Sequence, residues 1–282
     1  MSLGPRAFLK KVGFDFAKKP SSLDSAYLNL FDDDSKNEIR AAWTSMHLFA
    51  GGPSVLYTHP QTTKQAALLF SHDRNRAIAT FSWVNSVLNR LQPSTLLEVG
   101  CGAGFQLRYI RECFPNIQLS GVDKCLNLLG CIPTELNLDL IHGDYLTLNL
   151  ESYDVVLCDF GWDNSDIKTS SAPHTVRQLE GHTYCPICAG EMQLFYQKML
   201  SAFQSQIQLN GTLLLTGRFP QVANHVAFFD ALNALGLDAE HHGSQVLKVK
   251  NLDGATEKLH AYVIRNGNQI TERLDVATVL EW

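Results

Sequence analysis

Three sets of residues in this 282-residue chain have the types and spacing that do chemistry. The first is LLEVGCGAGFQLRYI, residues 96–110, where Glu98 precedes Gly100, Gly102 and Gly104 at alternate positions. Glycines so spaced let the backbone turn tightly, approach a ligand closely and offer it the amides at a helix start. The second set is three acids, each ending an apolar run: Asp123 in SGVDK, Asp144 in IHGDY and Asp159 in LCDFGWDN. A carboxylate at a strand tip beside a glycine turn can accept both hydroxyls of a ribose. A dinucleotide fingerprint would place a further glycine three residues after Gly102, where this chain has Phe105, so a pyrophosphate reading loses ground. The third set is GHTYCPIC, with His182, Cys185 and Cys188 at three-residue steps and His174 upstream. Two imidazoles and two thiolates suffice for a closed tetrahedral zinc site. A redox pair, with Cys185 ahead of Pro186 at a helix start, and ordinary thiols beside an imidazole are the alternatives.

The elements that must position these residues follow from periodicity. Up to about residue 92 apolar residues recur at helical steps: Leu23, Tyr27, Leu30 and Phe31, then Ile39, Ala42, Trp43 and Met46. Ser35 with Glu38 suits a capping box for the third helix, and Asp32, Asp33 and Asp34 suit the acidic start of one. AGGPS, residues 50–54, breaks the run, and helices over 62–70 and 75–91 lead to Pro93. From Ser94 short apolar runs alternate with helical stretches: TLLEVG, IQLSGVD, LDLIHGD, YDVVLCDF, GTLLLTGRF, SQVLKVK and LHAYVIRN. That alternation predicts a parallel sheet with helices on both faces. The last two runs are joined by NLDGATEK, too short for a crossover helix, which predicts an antiparallel hairpin at the end of the sheet. About 30 residues separate the fourth run from a helix beginning near Glu191, an insertion that asks for a function or a staple.

Composition narrows the classes. With 45% hydrophobic and 18% charged residues the chain reads as a globular protein, and no apolar run approaches the ~20 residues of a membrane span. A net charge of -5 is the wrong sign for gaining affinity by neutralising nucleic-acid phosphates. Seven cysteines, odd in number and scattered, do not form a disulfide framework. MSLGPRAFLKKVGFDFAKKP lacks the apolar stretch of a secretory signal, and a cytoplasmic location is expected.

On the glycine turn and its acids, residues 78–266 resemble the class I S-adenosylmethionine-dependent methyltransferases. The resemblance implies an α/β fold: a seven-stranded, mostly parallel Rossmann-like sheet of order 3-2-1-4-5-7-6 with strand 7 antiparallel. Residues 1–74 would be a helical lid segment, and 75–282 the cofactor-binding domain with an insertion at about 161–189. It implies that Gly100, Gly102 and Gly104 lie against the methionine part and ribose, with Glu98 supporting the turn. Asp123 would hold the ribose hydroxyls, with Lys124 beside the adenine edge. Asp144 would meet the adenine amino group, with Tyr145 nearby, and Asp159 would lie under the methionine amino group. The implied reaction is in-line transfer of the sulfonium methyl to a nucleophile on a small molecule. It gains mainly from positioning and needs no obligatory base. Asp163 and His59 are candidates for proton removal, and Trp162 for a pocket wall, although turn capping and packing are the commoner roles for each. Asp159-Phe160-Gly161-Trp162 keeps the acid and final aromatic of the Asp-Pro-Pro-Tyr sequence of base-methylating relatives, without either proline. A nucleic-acid or protein methyltransferase, and a non-catalytic cofactor-binding module, are the alternative functions. The expected ligands are S-adenosylmethionine, a small-molecule substrate and a structural zinc on His174, His182, Cys185 and Cys188.

Overall fold

A computed structural model of the chain describes residues 3–17, 19–45, 55–161, 174–267 and 272–282. The AGGPS break at 50–54, Met46, and the candidates Trp162 and Asp163 lie outside the described residues. Strands are β1 (Thr95–Val99), β2 (Gln118–Asp123), β3 (Asp139–His142), β4 (Tyr153–Asp159), β5 (Arg177–Leu179), β6 (His182–Tyr184), β7 (Ile207–Gly217), β8 (Leu237–Lys250) and β9 (Thr256–Asn266). One sheet has the order β3-β2-β1-β4-β7-β9-β8, and β5 with β6 forms a separate two-stranded ribbon. Numbering only the seven strands of the large sheet gives 3-2-1-4-5-7-6, and β9, the seventh of them, runs antiparallel to β7. This is the order that the family resemblance implies, and its antiparallel end is the hairpin read from the short NLDGATEK connection. Among the described residues, no helix is long and apolar enough to cross a membrane.

The chain divides into two compact units. One comprises Met1–Tyr145 and Lys248–Glu257. Its strands β1, β2 and β3 are parallel, with Glu98 opposite Gly121, Val99 opposite Val122 and Asp123 opposite His142. Leu96, Leu97, Val99, Leu119 and Val122 are buried, the continuous apolar run of a strand covered on both faces. Helix Pro5–Lys11 contributes Phe8 and Leu9, both fully buried, to one cluster with Phe81, Ala103, Phe105 and Tyr109. The Phe8 and Tyr109 rings lie 5.2 Å apart, and those of Phe14 and Phe105 4.9 Å. Each such aromatic removed from water stabilises by roughly 1.5–3 kcal/mol. The N-terminal helix is thus part of the core behind the glycine turn. A second cluster, Tyr27, Ile39, Ala42, Leu56 and Leu68, holds the other N-terminal helices.

The third helix, Asp33–Ser45, begins ahead of the expected cap. The Ser35 amide donates to Asp32 Oδ1 at 2.8 Å, and the Lys36 amide to the Asp32 carbonyl at 3.0 Å. Asp32 is therefore the N-cap and Ser35 sits three residues inside. An acid with two acceptor oxygens outcompetes the hydroxyl for the same orphan amides. Thr62 caps helix Thr63–Leu69 by accepting from the Gln65 amide at 3.2 Å.

The other unit comprises Leu146–Leu247 and Lys258–Trp282. Here β4 and β7 are parallel with Asp159 opposite Thr216, and Gly217 of β7 faces His260 of β9. Helix Pro186–Ser205 buries Cys188, Met192, Tyr196, Met199 and Phe203 along one stripe. It packs on helix Val222–Leu235 through rings such as Tyr196 and Phe228, 5.4 Å apart. This helix starts five residues before the expected Glu191, because Pro186 occupies its first position, where a missing N–H costs nothing. The hairpin β5–β6, with Arg177 opposite Tyr184 and Leu179 opposite His182, lies inside the insertion and was not expected.

Candidate functional site

The glycine turn is built by the two strands it joins. Val122 at the end of β2 accepts the amides of Gly100 and Cys101 at 2.8 and 3.1 Å, so the chain leaving β1 folds over the tip of its neighbour. Gly102 and Gly104 follow with φ of 52° and 65°, the left-handed region. At Gly104 a Cβ would also come within 2.7 Å of Ile132 Cδ1. The Gly104 carbonyl accepts from the Arg108 amide at 2.9 Å and so opens helix Phe105–Cys113. Gly121, which no spacing rule singles out, permits this approach from β2: a Cβ there would meet Leu107 Cδ1 at 2.7 Å and Cys101 Sγ at 2.9 Å.

Asp123 braces the turn. Its Oδ2 accepts from the Gly102 amide at 2.8 Å and its Oδ1 from the Cys125 amide at 2.7 Å. Burial pushes the carboxyl above its ordinary range, opposed by these two amides and by Lys124 and His142. An ionised carboxylate has about four lone-pair positions, so one remains on each oxygen for two adjacent hydroxyls. The backbone of Asp123 in turn accepts from the Gly143 amide at 3.0 Å, tying the β3 tip, and with it Asp144, to the β2 tip. Lys124 and Asp144 are exposed, Tyr145 is half-buried, and Glu98 is buried within β1. The side-chain amide of Gln106, 3% exposed in the first turn of the helix after the glycines, has neither its Nε2 nor its Oε1 hydrogen-bonded. Among the residues of this unit, the structure gathers Gly102, Asp123 and the start of the 143–145 segment at one end of β1–β3. His59, also in this unit, has its ring edge-on to Phe31 at 6.4 Å.

In the other unit, Asp159 accepts a hydrogen bond from Thr216 Oγ1, and the Phe160 amide donates to the Thr216 carbonyl at 3.4 Å. Phe160 has a φ of 61°, unusual for a residue with a Cβ, and its buried ring lies 5.0 Å beneath the Arg218 guanidinium. The chain therefore turns sharply at the β4 tip. Thr216, inside the apolar run LLLTG, is not distinguishable by sequence from a threonine of the strand core.

The His/Cys set is gathered by the hairpin. His174 precedes β5 and Cys185 follows β6, so the antiparallel ladder returns the chain to where it entered. One ligand atom each from His174, Cys185 and Cys188 lies within 4.8 Å of the others, with Cys188 Sγ 3.2 Å from His174 Nδ1. A tetrahedral ion at about 2.3 Å from sulfur and 2.1 Å from nitrogen needs edges of about 3.5–3.8 Å, so small side-chain adjustments would seat it. His182 is not brought to this group. It pairs with Leu179 at the turn end of the ribbon, three extended residues or about 10 Å from Cys185. The two-residue turn, Glu180-Gly181 with φ of 49° and 76°, is the type that matches strand twist. Among the described residues the group has three members.

Cys185 caps helix Pro186–Ser205, and its thiol is drawn down to about 6. The Cys188 amide facing its sulfur is the largest cause, with the His174 side chain adding to it against the effect of burial. Cys188 is pushed up, chiefly by its hydrogen bond to the Cys185 sulfur, with burial adding to it. Cys101 at the glycine turn is raised well above the usual thiol range by burial, with Glu98 and Asp123 adding to it.

No protein-family model matches the sequence, and no curated protein does. Among solved structures the chain is similar to the magnesium protoporphyrin IX methyltransferase of Synechocystis with bound SAM. The identity is 12%, covering 69% of this chain and 83% of that one, with a TM-score of 0.46. It is also similar to the N-methyltransferase NodS of Bradyrhizobium japonicum in complex with S-adenosyl-L-homocysteine, at 12% identity over 71% and 88% of the two chains and a TM-score of 0.46. The plantazolicin methyltransferase BpumL is 13% identical over 82% of this chain and 99% of that one, with a TM-score of 0.48. At these values the similarities carry no argument about activity, and the sheet order stands on the strands of this chain.

Proposed function

We propose that the chain is an S-adenosylmethionine-dependent methyltransferase acting on a small molecule. The observation that carries this reading is Asp123: one carboxylate pins the glycine turn through the Gly102 amide and keeps an acceptor position on each oxygen for a ribose diol. Gly100, Gly102 and Gly104 would lie against the methionine part and ribose, where a side chain would fill the approach. Lys124 would border the adenine, Asp144 and Tyr145 would meet its amino edge, and Glu98 would support the turn from β1. The cofactor supplies a methyl group on a positively charged sulfur. The protein's part is to hold the acceptor in line with it, a positional gain of up to about 7–11 kcal/mol. A net charge of -5 favours a small acceptor over a nucleic acid. Calorimetric titration with S-adenosylmethionine tests the cofactor. Saturable one-site binding is expected, with Asp123→Ala weakening it by about 100-fold or more through two lost charge-assisted hydrogen bonds. The absence of binding heat, or full affinity in Asp123→Ala, overturns the reading. Transfer of a labelled methyl group into a metabolite extract then separates an enzyme from a non-catalytic binder.

Within this reading His174, Cys185 and Cys188 hold a zinc ion that staples the inserted hairpin to the start of the long helix. The mixed thiolate and imidazole donors are those zinc prefers. Three protein ligands leave a fourth coordination position to water or another donor. Elemental analysis of the purified chain tests it, with less than about a tenth of an equivalent of zinc defeating the site.

A further inference from the structure

A zinc ion and a disulfide require the same two sulfurs, and the geometry around Cys185 and Cys188 suits both. The sulfurs lie within 4.8 Å of each other, on the N-cap and third residue of a 20-residue helix. Closing them to a bond of about 2.05 Å asks for side-chain rotation and a modest shift of the first turn. Cys185 is half-buried while Cys188 is 5% exposed, so a reagent from solution meets Cys185 first and Cys188 is placed to follow. The two strands that present His174 are three residues each and largely exposed, so the imidazole is held by little and can withdraw.

Among the described residues no other cysteines share such a group with a histidine. Cys101, Cys131 and Cys158 are buried. The Cys125 thiol donates to the Tyr57 carbonyl at 3.1 Å and that of Cys131 to the Asn127 carbonyl at 3.3 Å, and burial pushes the Cys131 thiol up to about 11.

From this arrangement we propose that Cys185 and Cys188 form a metal-or-disulfide switch, binding zinc with His174 when reduced and releasing it on oxidation by a small disulfide. The proposal rests on the zinc site above. The Cys185 thiolate attacks one sulfur of the small disulfide, forming a mixed disulfide and expelling one small thiolate. The Cys188 thiolate then attacks the Cys185 sulfur, forming the Cys185–Cys188 bond and expelling the second small thiolate. Two electrons pass from the protein to the small disulfide, and the ion, having lost both thiolates, leaves to solvent.

The test uses the full chain, reduced, zinc-loaded and titrated with glutathione disulfide, following zinc with a chromogenic chelator and the disulfide by peptide mass. Zinc release and Cys185–Cys188 formation should rise together, one to one, and reverse with excess thiol and zinc. In Cys188→Ser a glutathione adduct should accumulate on Cys185 at least about 10-fold faster than on Cys188 in Cys185→Ser, as exposure dictates. If zinc binds and the two cysteines stay reduced while Cys113 or Cys125 reacts, the switch is overturned and the metal site stands. If the chain binds no zinc yet forms the disulfide, the metal reading falls and the switch with it. Zinc retained after the disulfide has formed also overturns the switch.

Discussion

The glycine turn and the His/Cys site are built in contrasting ways. The turn joins residues far apart in sequence: Gly102 is held by Asp123, 21 residues on, and Asp123 holds Gly143, each set by the register of parallel strands. The His/Cys site joins residues 174–188 through one short ribbon and the first turn of a helix. A site assembled by a buried parallel sheet opens only as its unit unfolds, whereas one assembled by an exposed hairpin opens locally at small cost. The first suits a ligand that must be held in fixed geometry, the second an ion that comes and goes.

That contrast can be broken at three points. The largest effect is expected from acid on the sheet of the His/Cys unit. His225 and His260 are buried with ring centroids 4.5 Å apart, and burial lowers them to about 3 and about 4, with a smaller repulsive effect from His260 on the former and Lys258 on the latter. An unfolded histidine titrates near 6.5, so below that pH the unfolded chain takes up protons that the folded chain refuses. Stability is therefore full above about pH 6.5 and lost as the pH falls toward 4. By pH 5 the pair should cost about 3–4 kcal/mol, read as a lower urea midpoint relative to pH 7. His225→Phe with His260→Phe should flatten that dependence, and an unchanged slope would show that the sheet's stability lies elsewhere.

Next is Gly104→Ala, which forces a Cβ into the left-handed region and against Ile132. A loss of about 2–4 kcal/mol in urea unfolding is expected, together with S-adenosylmethionine binding, while zinc affinity stays unchanged. The smallest is Gly181→Ala at the hairpin turn, where an added Cβ meets nothing within 4 Å and only backbone strain of about 1 kcal/mol arises. Zinc affinity in a chelator competition should drop about fivefold with the urea midpoint of the whole chain unmoved. A shift in global stability there would mean that the hairpin is no independent element.

The sequence was legible where physics acts through long, repeated patterns. Runs such as TLLEV and YDVVLCD are mostly apolar because the sheet is covered on both faces, and the turn and its acids sit at their ends, so parallel sheet and candidate cradle could be read together, while the strand order came with the family resemblance. The hairpin escaped because strands of three residues are too short for an alternation to register, although Glu180-Gly181 between RQL and HTY is a turn signal. His182 was attractive for its even three-residue step from Cys185, but in a strand that step is length and carries the side chain away. His174, more distant in sequence, is brought near by pairing. Ser35 with Glu38 has the spacing of a capping box, yet Asp32 takes the Ser35 amide, and Gly121 and Thr216 carry no local signature because the contacts that need them are long-range.

The brace at Asp123 also constrains how this protein can be remade. On the proposed cofactor reading, a designer who wished to exchange the ribose for another diol would be drawn to that carboxylate, yet changing it also withdraws the acceptors of Gly102 and Cys125. Recognition and scaffold would then be fused in one side chain. The proposed site leaves its freedom one residue on, at Lys124, whose side chain is exposed and braces no turn amide among the described hydrogen bonds.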